Sequence, residues 1–192
     1  MLPRVPPGRH MLLAVLECSE DMRASNDSLP FAVDIPLGRH ALLINEIMFE
    51  PLDGSCEWIE LLNVSQEPVD ISGFALAGAP GYAGKRSRLG LPDDIPAIPE
   101  GGFAVIAADS SVLTRFPDLI GGDAGRVLIT LGRSSLGLGN SGDDILLLDY
   151  EDRRIDSIHY RADSHHPFLA TTAGRYLELI HPSLRERGMN GW

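Results

Sequence analysis

Two segments of the first half of the chain, residues 41–49 and 57–63, are rich in apolar residues and predict β-strands joined by a turn that contains Pro and Gly. Asn45 and Glu46 interrupt both faces of the first strand at one level. Polar groups in a core strand need hydrogen-bond partners. We therefore expect these two residues to tie the strand to a neighbouring loop or, alternatively, to form the solvated face of an edge strand.

Similar short apolar segments recur along the rest of the chain, separated by turns rich in Gly and Pro. The pattern predicts about eight short strands with turns at roughly ten-residue spacing, which is typical of an all-β sandwich. Gly73 is expected in the middle of a strand, at a bulge or a close backbone approach. One helical turn is predicted at residues 110–116, capped by Ser110 or Ser111 and ended by Pro117. Later strands are expected at residues 103–107, 127–131, 144–149, 154–160 and 175–180.

The N-terminal residues 1–37 predict an extra β-hairpin, with strands at residues 10–18 and 31–35. A lone hairpin is not stable in water. We expect it to pair with the main domain, to pair with a second copy of the chain, or to remain loose. The main domain is assigned to residues 38–192.

The formal net charge of −11 disfavours non-specific binding to nucleic acids or to anionic membranes. The tightest basic group, Lys85, Arg86 and Arg88, falls in a predicted loop. No stretch reaches the roughly 18 apolar residues of a membrane span. The apolar run at residues 11–16 is too short for a signal peptide, so an export signal lies upstream of this chain or is lacking.

The two cysteines, Cys18 and Cys56, are too few for a disulfide scaffold. Two separate thiols are the expectation, and a single bridge between them is the alternative if their segments pack together.

Residues 137–142 spell G-x-G-x-x-G, a pattern that also occurs in dinucleotide sites. Such a site needs a helix after the glycines, and here Asp143, Asp144 and a strand follow them. We therefore predict a turn. His159, His165 and His166 have no zinc-site spacing with Cys56, and no G-x-S-x-G elbow positions a catalytic serine.

Acidic residues recur late in the chain without the spacing of an EF-hand. We expect them to be solvated surface charge, with a loose calcium site formed by loops as the alternative. These residues are Asp143, Asp144, Asp149, Glu151, Asp152 and Asp156.

Trp58 alternates with Glu57 and Ile59 in the second strand and is predicted to be a core or interface anchor. Its neighbours Glu57 and Glu60 fall on opposite faces of that strand, so they are not expected to act as a carboxylate pair.

A series of motifs from residue 42 to residue 192 resembles the bacterial form of the lamin tail domain. The motifs, in order, are LLINEIMFEP, EWIELLN, EPVDISGFAL, IPEGGFAVI, LGNSGDDILLLD, IDSIHY and GRYLELI. The resemblance implies an Ig-like β-sandwich and a non-catalytic module of exported proteins. The segment PGRHMLLAVLE, with the strand that follows it, resembles the last two strands of CARDB-like Ig repeats, which implies that residues 1–37 are the remnant of a preceding domain.

These patterns predict a module with no catalytic, cofactor-binding or metal-binding residues, whose binding residues are not assigned. It is expected to serve domain spacing and to contact a protein or cell-surface partner in a secreted or surface-exposed protein. Self-association through the N-terminal hairpin is also expected. The alternatives are an accessory domain of a secreted hydrolase or nuclease, or a domain that recognises calcium or carbohydrate, with Tyr82, Tyr150 and Tyr160 as exposed aromatic candidates.

Overall fold

The computed structural model describes residues 7–17, 27–78, 88–120 and 125–192. The described chain is built almost entirely of short β-strands, with one α-helical turn and three 3-10 turns. The strands are β1 (Gly8–Val15), β2 (Ser28–Ile35), β3 (Leu42–Met48), β4 (Trp58–Asn63), β5 (Ala75–Ala77), β6 (Leu89–Gly90), β7 (Phe103–Ala107), β8 (Arg126–Thr130), β9 (Gly142–Leu148), β10 (Arg154–Arg161) and β11 (Leu177–Glu178). The helical turn is α1 (Val112–Arg115), and the 3-10 turns are Pro117–Leu119, Ala162–Ser164 and Pro182–Gly191.

Two sheets form the main domain. One has five strands in the order β11-β3-β4-β7-β8, and the other has four in the order β10-β9-β5-β6. Neighbouring strands are antiparallel except β7 and β8, which run parallel. The connection between these two strands contains α1, in keeping with the crossover that parallel neighbours require.

The core lies between the two sheets, which pack as an Ig-like β-sandwich. Ile44, Ile59 and Ile106 from the five-stranded sheet are fully buried in the same apolar cluster as Leu76 and Leu147 from the four-stranded sheet. Alternation along each strand places these apolar side chains on the inner faces. The all-β sandwich expected from the sequence is confirmed.

The N-terminal hairpin is also confirmed. β1 and β2 pair antiparallel in a separate two-stranded sheet, with Leu12 opposite Phe31. Large apolar side chains remain exposed on both of its faces: Met11, Leu12, Leu13, Val15, Leu29 and Phe31. Cys18 lies outside the described residues, and Cys56 is a buried free thiol.

Three local predictions are corrected by the fold. Gly73 lies in a turn with φ 69° rather than in the middle of a strand. Ser111 occupies the N-cap of α1 without a capping bond from its side chain, and the Asp109 carboxylate accepts the Ser111 N–H at 2.8 Å. The last strand covers only residues 177–178 rather than 175–180, and a 3-10 turn begins at Pro182.

Three aspartates expected to be solvated are instead buried, namely Asp143, Asp149 and Asp156. Asp149 accepts the backbone N–H groups of Glu151 and Arg153 and pairs with the Arg153 side chain at 2.7 Å. It thereby closes the turn between β9 and β10. Buried carboxylates need such partners, so these residues have structural roles.

Asp156 joins three separate parts of the chain. Its carboxylate accepts the Ile44 N–H at 2.8 Å and pairs with Arg185 at 2.7 Å, and His40 Nδ1 lies 3.1 Å from the same group. The contacts connect the segment before β3, the core strand β10 and the C-terminal 3-10 turn.

Candidate functional site

A β-bulge in β3 sets the geometry of the outer face of the five-stranded sheet. Ile44 pairs with Leu61, but the next register pair is Glu46 with Glu60, so Asn45 is the extra residue. The bulge turns Glu46 to the side away from the core and places it directly opposite Glu60. The expectation of an edge strand is wrong, because β3 lies between β11 and β4.

Three glutamates therefore form one cross-strand row on this face. Glu178 of β11 is opposite Glu46, and Glu46 is opposite Glu60. Like charges in directly opposite positions destabilise a sheet. This row of acidic side chains therefore lowers the stability of the sheet. Proteins often accept such a local loss of stability at functional sites.

Aromatic rings surround the two inner glutamates. Trp58 packs edge-on against Phe116, with ring centroids 5.7 Å apart, and lies 5.6 Å from the ring of Tyr176. Trp58 is only 4% exposed, and its indole N–H has no hydrogen-bond partner in the described structure. A buried donor without a partner is costly.

These side chains line a small open cavity of about 110 Å³, which we call the acidic cleft. It is lined by Glu46, Trp58, Glu60, Val105, Phe116, Leu119, Arg126 and Tyr176. Its walls combine one apolar side, two carboxyl groups and the side chain of Arg126. This mixture fits a binding site, in which a few polar groups orient a ligand against apolar walls.

Burial raises the pKa values of both inner carboxyls. The pKa of Glu46 rises to about 8, first because burial disfavours its charged form, and then because of the charges of Glu60 and Glu178. Burial also raises the pKa of Glu60, opposed by its hydrogen bond to Asn45. The nearby charge of Glu46 is the main reason why the Tyr176 pKa is raised.

Asn45 holds Glu60 in place. Its side-chain amide donates to Glu60 Oε1 at 2.9 Å, so the partner of Asn45 is a neighbouring strand rather than the loop expected from the sequence. Arg126 lies at the cleft with its guanidinium 5.8 Å from the centre of the Phe103 ring. No ion pair with Glu46 or Glu60 is found for it within the described part of the chain.

Glu57 points to the opposite face from Glu60, as predicted. Its Oε2 atom accepts the backbone N–H groups of Leu136 and Leu138, at 2.6 and 3.3 Å, and the hydroxyl of Ser135. Glu57 thus fixes the loop that leads into the predicted glycine turn. That turn is confirmed, since residues 137–142 are followed by strand β9 and not by a helix.

The histidines and Cys56 do not come together. His159 lies 3.1 Å from Asp144, and His165 packs against Phe49 with centroids 5.5 Å apart. The Cys56 thiol donates to the Asp109 carbonyl oxygen at 3.3 Å. Within residues 7–17, 27–78, 88–120 and 125–192, no group of three or more His, Cys, Asp or Glu side chains is arranged to hold a metal ion.

The structure also bears on the three tyrosines that were predicted as exposed candidates for carbohydrate recognition. Tyr160 is fully buried and stacks on Phe49 at 4.8 Å, so its prediction as an exposed aromatic is wrong. Tyr150 is half-buried against Phe74, and Tyr82 lies outside the described residues. Arg88 pairs with Asp152 at 2.8 Å, while Lys85 and Arg86 also lie outside them.

The sequence predicted that Trp58 is an anchor residue, but it did not predict that Glu46 and Glu60 face each other. The signal was the polar pair Asn45-Glu46 inside an apolar strand, which is the type of interruption that a bulge creates. Among the described residues, no helix has the length and apolar character needed to cross a membrane.

The chain also matches the model of a known protein family. Residues 38–162 match the family described as the lamin tail domain. No curated protein matches the chain. The matched range contains Glu46, Trp58 and Glu60 of the acidic cleft, while Tyr176 lies beyond it.

Proposed function

Because the chain belongs to the lamin tail domain family, we propose that it is a non-catalytic interaction module whose acidic cleft contacts a partner protein. The observation that carries this proposal is the cross-strand Glu46–Glu60 pair in a cleft with aromatic walls. Two carboxyl groups in directly opposite positions cost stability when both are ionised. A cationic partner group placed between them would remove that cost.

The scaffold supports such a role. Four of the eight cleft residues, namely Glu46, Trp58, Glu60 and Val105, stand on β3, β4 and β7, each of which has a neighbouring strand on both sides. Sites built on strands hold their geometry more precisely than sites on loops. We propose that the module is part of a larger exported bacterial protein, secreted or displayed at the cell surface, where it also spaces neighbouring domains.

Site-specific photo-crosslinking tests this function. The photoreactive residue p-benzoylphenylalanine replaces Tyr176 at the cleft or, as a control, Phe168, which is 91% exposed and does not line the cleft. The chain is then incubated with an extract of cell-surface proteins from the source organism. We expect a specific crosslinked protein only from position 176, suppressed by an excess of the unmodified chain. Equal crosslinking from both positions, or none, would overturn the proposal.

The N-terminal hairpin offers a second contact, which we propose joins two copies of the chain. Its exposed apolar faces favour contact with another copy, and the outer edges of β1 and β2, which pair with no further strand among the described residues, favour the addition of a strand. Replacing Leu12 and its cross-strand neighbour Phe31 by Glu should give a monomer in sedimentation analysis, whereas the parent chain dimerises. A monomeric parent chain would remove this contact from the proposal.

A further inference from the structure

We propose that the acidic cleft accepts the primary ammonium group of a lysine side chain of the partner, an inference that rests on the proposed function. The ammonium would lie between the carboxylates of Glu46 and Glu60, and its alkyl chain would pack on the aromatic wall. The size, the charge and the aromatic wall of the cleft support this assignment.

The cleft is too small to enclose a drug-sized ligand. Its volume of about 110 Å³ is well below the roughly 300–1,000 Å³ of sites for drug-sized ligands. A single long side chain is the class of group that fits. A partner protein that projects one such side chain would seal the opening with its own surface.

The charge of the cleft selects a cation. Glu46 and Glu60 face each other across adjacent strands, where opposite residues have Cβ atoms about 4.5–5.5 Å apart. A compact ammonium with three donors can bridge two carboxylates at that separation. A planar guanidinium is larger, and it would also lie closer to Arg126, which already lines the cleft.

The aromatic wall favours the same group. An ammonium near the face of a tryptophan or tyrosine gains a cation–π attraction, which is strongest where water is excluded. The methylene stem can pack against Val105 and Phe116.

Binding exchanges a proton for the ammonium. The charged groups that face Glu46 are Glu60 from β4, Glu178 and Tyr176 from the β11 side, and Arg126 from β8. In the free chain at neutral pH, the raised pKa keeps Glu46 protonated. On binding, its O–H bond breaks, the proton passes to the buffer, and the carboxylate pairs with the ammonium. Affinity should therefore rise about tenfold for each pH unit up to about pH 8 and then level off.

The test uses Nα-acetyl-lysine N-methylamide as the probe and its Nε-acetylated form, which lacks the charge, as the matched control. Trp58 reports binding by fluorescence once the second tryptophan is removed by W192F. We expect saturable quenching by the charged probe, with the predicted pH dependence, and none by the acetylated probe. The E46Q variant should lose at least tenfold in affinity at pH 8 and lose the pH dependence.

Two further variants separate a specific site from general acidity. E178Q removes an exposed carboxylate from the same row and should weaken binding less than threefold, while R126Q removes a competing cation and should strengthen it. Equal quenching by both probes, affinity that does not change with pH, or no saturable quenching would overturn this inference. If one of these results is obtained while crosslinking at position 176 still succeeds, the cleft binds a partner group other than lysine. The proposed function then stands, and only the assignment of lysine as the bound group is wrong.

Discussion

The substitution E46Q should make the protein more stable at alkaline pH while leaving it unchanged at acidic pH. Glu46 has a pKa of about 8 in the folded chain, against an ordinary value of 4.5. The folded state therefore holds a proton that the unfolded state releases between these pH values. By linkage, the stabilisation from this proton is complete below about pH 4.5 and is lost as pH rises through about 8.

The size of the effect follows from the same two values. One pKa unit corresponds to about 1.4 kcal/mol, so an unscreened carboxyl would lose about 5 kcal/mol across this range. Glu46 is only half-buried, and solvent screening reduces the expected loss to about 1–3 kcal/mol. Glutamine keeps the shape of the protonated carboxyl and cannot ionise. The E46Q variant should therefore not lose this stability as the pH rises.

Urea unfolding of the parent chain and of E46Q at pH 5, 7 and 9 provides the measurement. We expect equal free energies of unfolding at pH 5 and an advantage of about 1–3 kcal/mol for E46Q at pH 9. E178Q, at an exposed position of the same row, is the control and should show a smaller gain. If E46Q is less stable than the parent at pH 9, Glu46 is not held in a repulsive, desolvated position and the electrostatic description of the cleft is wrong.

Three further substitutions test the scaffold. R185L leaves the Asp156 carboxylate buried without its guanidinium and should cost about 3–5 kcal/mol in thermal unfolding; a change below 1 kcal/mol would contradict the role given to this pair. I44D places a charge in the core at a fully buried position and should give an insoluble or unfolded chain, so an unchanged melting temperature would refute the packing described. E57Q weakens the carboxylate that holds the loop N–H groups and should speed amide hydrogen exchange at Leu136, with a stability loss of about 1–3 kcal/mol; unchanged exchange would show that Glu57 does not fix the loop.

The sandwich was largely readable from the sequence because apolar patterning dictates which faces are buried. The predicted segments 41–49 and 57–63 match β3 and β4 to within a residue or two. The error at Gly73 has a physical cause, since a glycine inside an apolar run is compatible with a strand or with a turn of positive φ. Only the packing of the neighbouring segments decides between these conformations.

The acidic cleft could not be predicted from the apolar pattern of the sequence. Glu46 and Glu60 face each other because one extra residue, Asn45, is accommodated in β3. Strict alternation would have placed Ile59 opposite Glu46, and a register shift of one residue reverses which side chains share a face. Tyr176, more than a hundred positions away along the chain, reaches the cleft only through the pairing of β11 with β3.

The salt bridge between Asp156 and Arg185 bears on how the domain should be cut for expression. The family match ends at residue 162, yet the guanidinium that neutralises Asp156 and the strand that covers the outer edge of β3 both come later in the sequence. A protein truncated at residue 162 would leave the Asp156 carboxylate without its guanidinium partner and expose an aggregation-prone edge of β3. The segment that must be produced together to fold is therefore longer than the segment that identifies the family.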